Sequence, residues 1–406
     1  MKQNAVVNIG TVIESTQYGL SLPSEENGDI SIVGMKDIQD GQVNLKPSAR
    51  ITLSSSDLER YALRKGDILL NRTNSPDLVG KAAIVDEDTN VVFASYLVRL
   101  KVDRKSASPE YLNYWINSNR GQKQIKALAT RAVSQANINP TTFCNHFYLP
   151  MPSLDAQQYF AAVLKTWDDA ITNVTATFAL LQQRKQGLMQ QLLTGRRRLK
   201  GFKGKWKAVS IGSFATHASN INKSGRALPV LSCTKYAGLV DSLSYFGKQI
   251  FSQNTSTYKL VARGQFAYAT NHIEEGSIGY QGLYDAALIS PMYTVFEVNA
   301  AAVDHGFLHK LLKTEAMRRV FESSTHGSVA RRGSLRWPEF AKLKITVPPL
   351  SEQTAIASLL DVASKEIELV CAEIAQLRTQ KRALMQKLLS GNWRMPQTAL
   401  LKEFSA

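Results

Sequence analysis

Two stretches of the chain place apolar residues at alternating steps of three and four. The first runs Phe160, Leu164, Trp167, Ile171, Val174, Phe178, Leu181, Leu188 and Leu192, and breaks its rhythm at Lys185. The second, 196 positions later, runs Ile356, Leu360, Ala363, Ile367, Val370, Ile374, Leu377, Leu384 and Leu388, and breaks at Lys381. Such alternation is the seam of a coiled coil, because 3.5 residues per repeat keeps one face of a helix toward a partner. Each stretch begins after prolines, "LPMPSL" (149–154) or "VPPLS" (347–351), and closes on Gly195 or Gly391, as helix-terminus chemistry predicts. Helices of this length extend on the order of 50 Å. A lysine in the same layer of both seams costs stability but fixes register and orientation. The matched flaws predict that the two helices pair with each other, antiparallel, within one chain. Pairing between two copies through the same seams is the alternative.

The repeat reaches beyond the helices. "LMQQLLTG" (188–195) returns as "LMQKLLSG" (384–391), "LRKGDILLNRTN" (63–74) as "LVARGQFAYATN" (260–271), and "EYLNYWINS" (110–118) as "GFLHKLLKT" (306–314). "NIGTVI" (8–13) is answered by "SIGSFA" (210–215). The unit is therefore a domain of roughly 150 residues followed by one long helix, present twice in tandem. Short β-branched runs such as "GDILL" (66–70), "KAAIV" (81–85) and "YLVRLKV" (96–102) read as strands, and 109–129 reads as a helix, so the fold class is mixed α/β. The expected order is domain one (1–150), helix one (151–195), linker and domain two (196–346), helix two (347–393) and a tail (394–406).

Charge narrows the partner. The formal net charge is +16 with a pI near 9.6, which favours a polyanion, nucleic acid before a membrane surface. No acidic residue lies between Asp169 and Asp241, a window that holds Arg184, Lys185, Arg196, Arg197, Arg198, Lys200, Lys203, Lys205, Lys207, Lys223, Arg226 and Lys235. "GRRRLKGFKGKW" (195–206) reads as a linker between units, and its arginines as candidate phosphate contacts.

More specific are the segments before each long helix. "TRAVSQANINP" (130–140) carries Arg131, Ser134, Gln135 and Asn137; its counterpart "HGSVARRGSLRWP" (326–338) carries Ser328, Arg331, Arg332, Ser334 and Arg336. Arginine pairs bidentately with guanine, and asparagine or glutamine with adenine. Different residues on one frame suit two readers of different base sequences. Asn71, Arg72 and Asn74 in one unit, Asn271 and His272 in the other, form a second pair of candidates, and Lys36 with Lys235 a third.

Catalytic motifs are missing. "GFKGKW" lacks the spacing and hydroxyl of a phosphate-binding loop, and "INPTT" (138–142) lacks the second proline and aromatic of amino-methyltransferases. Pro76-Asp77 is not completed as a nuclease motif. His305 and His309 share a helical face but have no third ligand in sequence view and read as a solvated pair, so no metal site is expected. Cys144 and His146 lie too close in sequence to act as nucleophile and base. Three scattered cysteines, with Cys233 and Cys371, give neither a disulfide framework nor a metal knuckle and suit a reducing cytoplasm. No apolar run approaches the ~20 residues of a membrane span.

Two variable domains, each followed by a helix ending in "LMQ-LL-[TS]G", with the "G-RR-KGF---W" linker between, resemble the specificity subunit of type I restriction-modification systems. The resemblance covers nearly the whole chain and is carried best by "LMQQLLTGRRRLKGFKGKW" (188–206), "VPPLSEQTAIASLL" (347–360) and "MPSLDAQQYFAAVL" (151–164). The first copy departs from it, with Asp155-Ala156-Gln157 where Glu352-Gln353 stands intact in the second, and "SGNWRM" (390–395) lacks the basic run of its counterpart. The resemblance implies that each domain is a target recognition domain reading half of a split, asymmetric DNA target in a prokaryotic cytoplasm. The paired helices would set the gap between the halves and dock two modification subunits. Those partners would carry S-adenosylmethionine and methylate adenine, while ATP, Mg and cleavage would belong to separate restriction subunits. No cofactor and no catalytic residue are expected in this chain. A DNA-binding regulator acting alone, an unfamiliar enzyme, or a specificity chain of another nuclease architecture are the alternatives. A regulator acting alone should show no apolar surface left over once the helices pair.

Overall fold

The computed structural model describes residues 5–325 and 334–389. It divides into two compact units, one taking in the chain up to Thr175 and again from Glu373, the other Ala176–Ala372. Each unit is stitched shut the same way. Ala5–Asn8 pairs antiparallel with Tyr148–Met151 in the first, and Lys207–Ser210 with Lys344–Val347 in the second. Both closing strands lead straight into a long helix, Leu154–Leu192 or Leu350–Leu389.

The central sheet of unit 1 orders its strands Ile13–Tyr18, Leu97–Val102, Ile68–Asn71, Ala82–Ile84, Gln42–Val43 and Ile38–Gln39. Unit 2 repeats its first part as Ala215–Ala218, Tyr293–Val298, Phe266–Ala269 and Ile278–Tyr280. A second sheet there runs Gly238–Asp241, Val230–Thr234, Ala286–Ile289 and Lys259–Ala262. The strand Leu97–Val102 is buried at every position but Lys101, and its one buried charge, Arg99, is paired with Asp67 at 3.2 Å. Register refines the repeat. Asn71 sits opposite Leu97, and Ala269 opposite Tyr293, so Ala269 is the counterpart of Asn71, one residue on from the Tyr268 that the matched words place there.

The stretch 109–129, expected as one helix, is two: Pro109–Asn117 and Asn119–Leu128. Ser118 makes the break. Its hydroxyl donates to Trp115 O at 2.7 Å and accepts from Gly121 N at 3.0 Å, ending one helix while capping the next. A Cβ on Gly121 would lie 2.2 Å from Trp115 O, so glycine is required where the two helices fold onto each other. Unit 2 repeats the pair as His305–Leu312 and Glu315–Ser324, with Thr314 as the cap.

The seams behave as the heptads predict. Leu164, Leu181 and Leu360 are buried, and Trp167, Ile171, Val174, Phe178, Lys185, Ile367, Val370, Ile374, Leu377 and Lys381 are all partly buried. Within unit 1 the early turns of the first helix meet the last turns of the second. Phe160, Leu164, Leu388 and Leu389 join the same core as Tyr111, Trp115, Phe143 and Phe147. Within unit 2 the ends exchange roles, and Leu192, Leu193, Ile356 and Leu360 join the core of Phe266, Phe296, Phe307 and Phe340. The helices therefore run antiparallel in each unit, and Arg184 pairs with Glu366 across them in unit 2. The twice-written "LMQ-LL" is the helix end that completes a domain core.

The two lysines of the seams differ. Lys381 donates to Asp168, whose second oxygen accepts from Tyr114 Oη at 2.6 Å, and its ammonium lies 5.3 Å from the Tyr114 ring centre. The residues 196 positions after Asp168 and Tyr114 are Ser364 and Lys310, so no equivalent cluster forms around Lys185.

Each helix start is held by a glutamine. Gln157 Nε2 donates to Pro152 O at 2.9 Å while its Oε1 accepts from Ser108 N at 3.0 Å. Gln353 repeats this with Pro348 O at 2.9 Å and Asp304 N at 2.9 Å. Both side chains belong to residues 1% exposed. The departure at Asp155-Ala156-Gln157 thus leaves the first helix start intact, because the glutamine is the clamp. Glu352, which Ala156 replaces, has a different role: it is fully buried and accepts two bonds from Arg198, at 2.9 and 2.5 Å.

Gln157→Ala or Gln353→Ala should each orphan an N–H and a carbonyl, one of them buried and the other partly buried, at roughly 1–3 kcal/mol for the buried group. Chemical denaturation should show the loss, and an unchanged midpoint would mean the clamp is dispensable. Arg198→Ala strands the Glu352 carboxylate and should lower the unfolding temperature. Arg198→Ala with Glu352→Ala recreates the alanine of unit 1 and should recover most of that drop in a thermal melt.

Candidate nucleic-acid interface

In unit 1 the two candidate segments come together in one small sheet. Thr130–Arg131 and Ala136–Asn137 form a hairpin, and its second strand pairs antiparallel with Thr73–Asn74. The hairpin is fastened by Thr73 Oγ1, which donates to Asn137 Oδ1 at 2.6 Å, and by Ile138 N, which donates to Arg72 O at 2.8 Å. Its tip, Arg131 through Gln135, is exposed throughout, with Val133 wholly in solvent. Arg131, Ser134 and Gln135 are therefore presented on a rigid base. Asn137 is half-buried and structural, since its amide oxygen is committed to Thr73.

The other residues of "LNRTN" separate by burial. Asn71 is 1% exposed within its strand and cannot reach a base edge, which corrects its place among the contacts. All four positions of its strand Ile68–Asn71 are buried, so both faces of the strand are covered there. Arg72 lays its guanidinium 5.1 Å from the ring centre of Tyr18, while its backbone N–H donates to Tyr96 O at 3.0 Å. Asn74 is half-buried, and its Oδ1 accepts from Ser75 N at 2.8 Å. Lys36 is exposed beside a different sheet, that of Ile30–Val33, with its Nζ 3.3 Å from Ser48 Oγ.

Unit 2 carries the same frame. Leu335 N donates to Thr270 O at 3.0 Å, as Ile138 does to Arg72, and Thr270 Oγ1 donates to Met292 O at 2.9 Å. Arg331, Arg332 and Ser328 lie outside the described residues. Arg336 is exposed at the N-cap of the helix Trp337–Lys342. Asn271 is half-buried, and His272 is exposed with Nδ1 3.4 Å from Glu275 Oε1. Lys235 is exposed, its ammonium 5.4 Å from the ring centre of Tyr236. Among the described residues, His272, Glu274 and Glu275 offer possible metal-ligand atoms within 4.8 Å of one another.

Sequence reading missed the apolar partners of this edge. Tyr18 and Tyr96 are 49% and 48% exposed beside Arg72, and Met292 is 61% exposed beside Thr270. Large apolar side chains left in solvent at an otherwise polar edge are the signal, and it exists only once the fold places them there.

Two further corrections concern charge. Arg196 and Arg197 are exposed, but Arg198 is spent on the buried Glu352, which also holds its guanidinium pKa above the usual value. Arg198 is therefore a structural residue. His305 and His309, expected to be solvated, pack against Tyr280 with ring centres 5.7 and 6.4 Å away. Burial, with Lys313 and Lys310 nearby, pushes His309 down to about 4, so its ring is neutral at physiological pH.

Comparison with known proteins agrees with the arrangement. The family model of the type I restriction modification DNA specificity domain matches residues 1–182 and 205–379. The putative type I restriction enzyme MjaX specificity subunit of Methanocaldococcus jannaschii is 25% identical over 409 aligned positions, covering 95% of this chain and 92% of that protein. The EcoBI specificity subunit of Escherichia coli is 30% identical over 143 positions, 34% of this chain and 29% of its own. Among solved structures, the S subunit of a type I system from M. genitalium superposes with a TM-score of 0.57 at 13% identity, covering 97% of this chain and 98% of its own. With the family matched twice along the sequence, once on each unit, the chain belongs to the type I restriction-modification DNA specificity family.

Proposed function

We propose that each unit of this specificity chain reads one half of a bipartite, asymmetric duplex DNA target. The observation that carries this is one backbone frame bearing two different sets of side chains. The bridge from residue 138 to residue 72 recurs between 335 and 270, while Arg72, Tyr18 and Tyr96 around it give way to Thr270 and Met292. Phosphate contacts fix a protein on the duplex and base-edge contacts specify sequence. The exposed Arg131, Ser134 and Gln135 suit base edges; Arg196, Arg197, Lys36 and Lys235 suit phosphates. The net charge of +16 supports strong, salt-sensitive attraction to the duplex.

The chain supplies recognition and not the chemistry. S-adenosylmethionine, ATP and Mg belong, in this reading, to two modification subunits and to restriction subunits that assemble with it in the prokaryotic cytoplasm. No described helix is long and apolar enough to cross a membrane. One feature favours a docked partner over a regulator acting alone. Leu359, Val362 and Leu369, at 37%, 65% and 60% exposure, form a second apolar line on the seam helix of unit 2, and Leu180 on the other helix is 65% exposed. Apolar side chains at helical spacing that pairing leaves uncovered suit a further protein surface. The helices would also set the unread gap between the half-targets.

Arg131→Ala with Gln135→Ala should relax base preference in one half of the target, by roughly 1–3 kcal/mol for each bidentate base pairing removed, and leave the other half untouched. Genome-wide mapping of modified sites measures it, and equal damage to both halves would refute the division of labour. Val362→Asp with Leu369→Asp should abolish co-purification of a modification subunit while salt-dependent DNA retention persists. Undiminished co-purification would place the docking surface elsewhere.

A further inference from the structure

Lys313 caps the C-terminus of the helix His305–Leu312 and reaches into unit 2, away from both clusters of candidate DNA contacts in sequence. Its ammonium donates to three backbone carbonyls: Lys235 O at 2.7 Å, Gly276 O at 2.8 Å and Thr234 O at 3.2 Å. Two of these oxygens open the turn between the strands Val230–Thr234 and Gly238–Asp241. The third belongs to Gly276, which closes the turn Ile273–Glu275 at φ 93°. A cation here also meets the negative end of its own helix. Three converging carbonyl oxygens suit a compact ammonium with three donors better than a planar guanidinium.

What the two turns carry gives the contact its meaning. One presents Lys235, the other follows directly on Asn271 and His272. The second turn is also held from the next helix by Arg318, whose Nε donates to Glu274 O at 3.2 Å. Resting on the half-target reading above, we propose that Lys313 is a positioning residue for DNA recognition by unit 2: it ties the Lys235 turn to the Asn271–His272 turn so that both meet the duplex as one surface. Precision of this kind matters because base-edge contacts depend on geometry held within a fraction of an ångström to about one ångström. Unit 1 has no cation at the matching position. The residue 196 positions earlier is Asn117, whose amide is committed to Ala82 O at 2.8 Å and Asn113 O at 2.9 Å. The effect of removing Lys313 should therefore fall on one half-target.

The test uses the full chain with its partner subunits. Lys313→Met keeps the stem and removes the donors. Mapping modified sites should show roughly tenfold weaker base discrimination, within the range expected for removing one base-edge interaction, in the half read by unit 2 alone. Amide hydrogen exchange should rise at 235–237 and 272–277 and not across the core of the unit. Asn271→Ala and His272→Ala, measured alongside, separate the two possible failures. If they relax that half-target while Lys313→Met changes neither sequence preference nor exchange, the positioning role is wrong. If none of the three variants alters either half, the reading of this edge as a DNA contact fails, and the role built on it fails too. Should Lys313→Met abolish modification altogether, exchange decides: loosening confined to the two turns supports the proposal, and loosening throughout unit 2 overturns it.

Discussion

Neither α/β domain closes its core with its own residues alone. Unit 1 needs Leu388 and Leu389 from the far end of the chain, beside Phe160 and Leu164 from the helix it starts itself. Unit 2 needs Leu192 and Leu193, delivered by the first helix, beside Ile356 and Leu360 from the second. Each pair of terminal leucines is 1–2% exposed, and fully burying one leucine side chain contributes about 1.5–3 kcal/mol. The antiparallel course of the helices follows from this demand, because a helix that begins in one domain must finish in the other. So does the repeated octapeptide. It is the same core-filling end, written once for each domain.

The seam shows which sequence signals survive folding and which do not. A heptad rhythm is a statement about one element and its neighbour, and every seam position it named is shielded. Lys185 and Lys381 look alike in that rhythm, yet Lys381 has Asp168 and Tyr114 to satisfy it while the matching positions of the other unit are Lys310 and Ser364. A partly buried ammonium with a carboxylate and an aromatic face specifies one pairing strongly. Its counterpart lacks that cluster. The two halves of the seam are therefore alike in apolar packing and unlike in polar specification, and the repeat alone cannot reveal this because the deciding residues sit on other elements.

The same distinction runs through the domains. Long apolar strands and the tandem organisation are legible from local pattern. The break at Ser118 is less so: its cap is a single hydroxyl inside the polar run 117–124, which the exposed face of one continuous helix would also show. Two-residue strands such as Thr73–Asn74 and Ala136–Asn137 carry no periodic signal at all, so their union into one sheet appears only in three dimensions. Asn71 and Arg198 mislead for a shared reason. Composition suggests a residue that reaches for a polyanion, whereas Asn71 is buried within its strand and Arg198 is bound to a buried carboxylate.

A surface that must vary while its fold stays constant needs its shape fixed by groups that do not vary. The edge shared by the two units meets that condition through the backbone. Residue 138 or 335 donates to the carbonyl of 72 or 270, and each of those residues in turn donates to the carbonyl of 96 or 292, through its amide at 72 and through its hydroxyl at 270. These bonds hold whatever side chain stands at 72 or 270, apart from the hydroxyl that replaces one of them. Arginine over tyrosine in one unit and threonine beside methionine in the other then occupy equivalent places without disturbing the sheet beneath. In such a frame, substitution at the rim changes what is recognised at little cost to stability, while substitution of a fastening residue disturbs the frame itself. Asn137 illustrates the boundary: it lies among candidate readers in sequence, but its bond to Thr73 makes it part of the fastening.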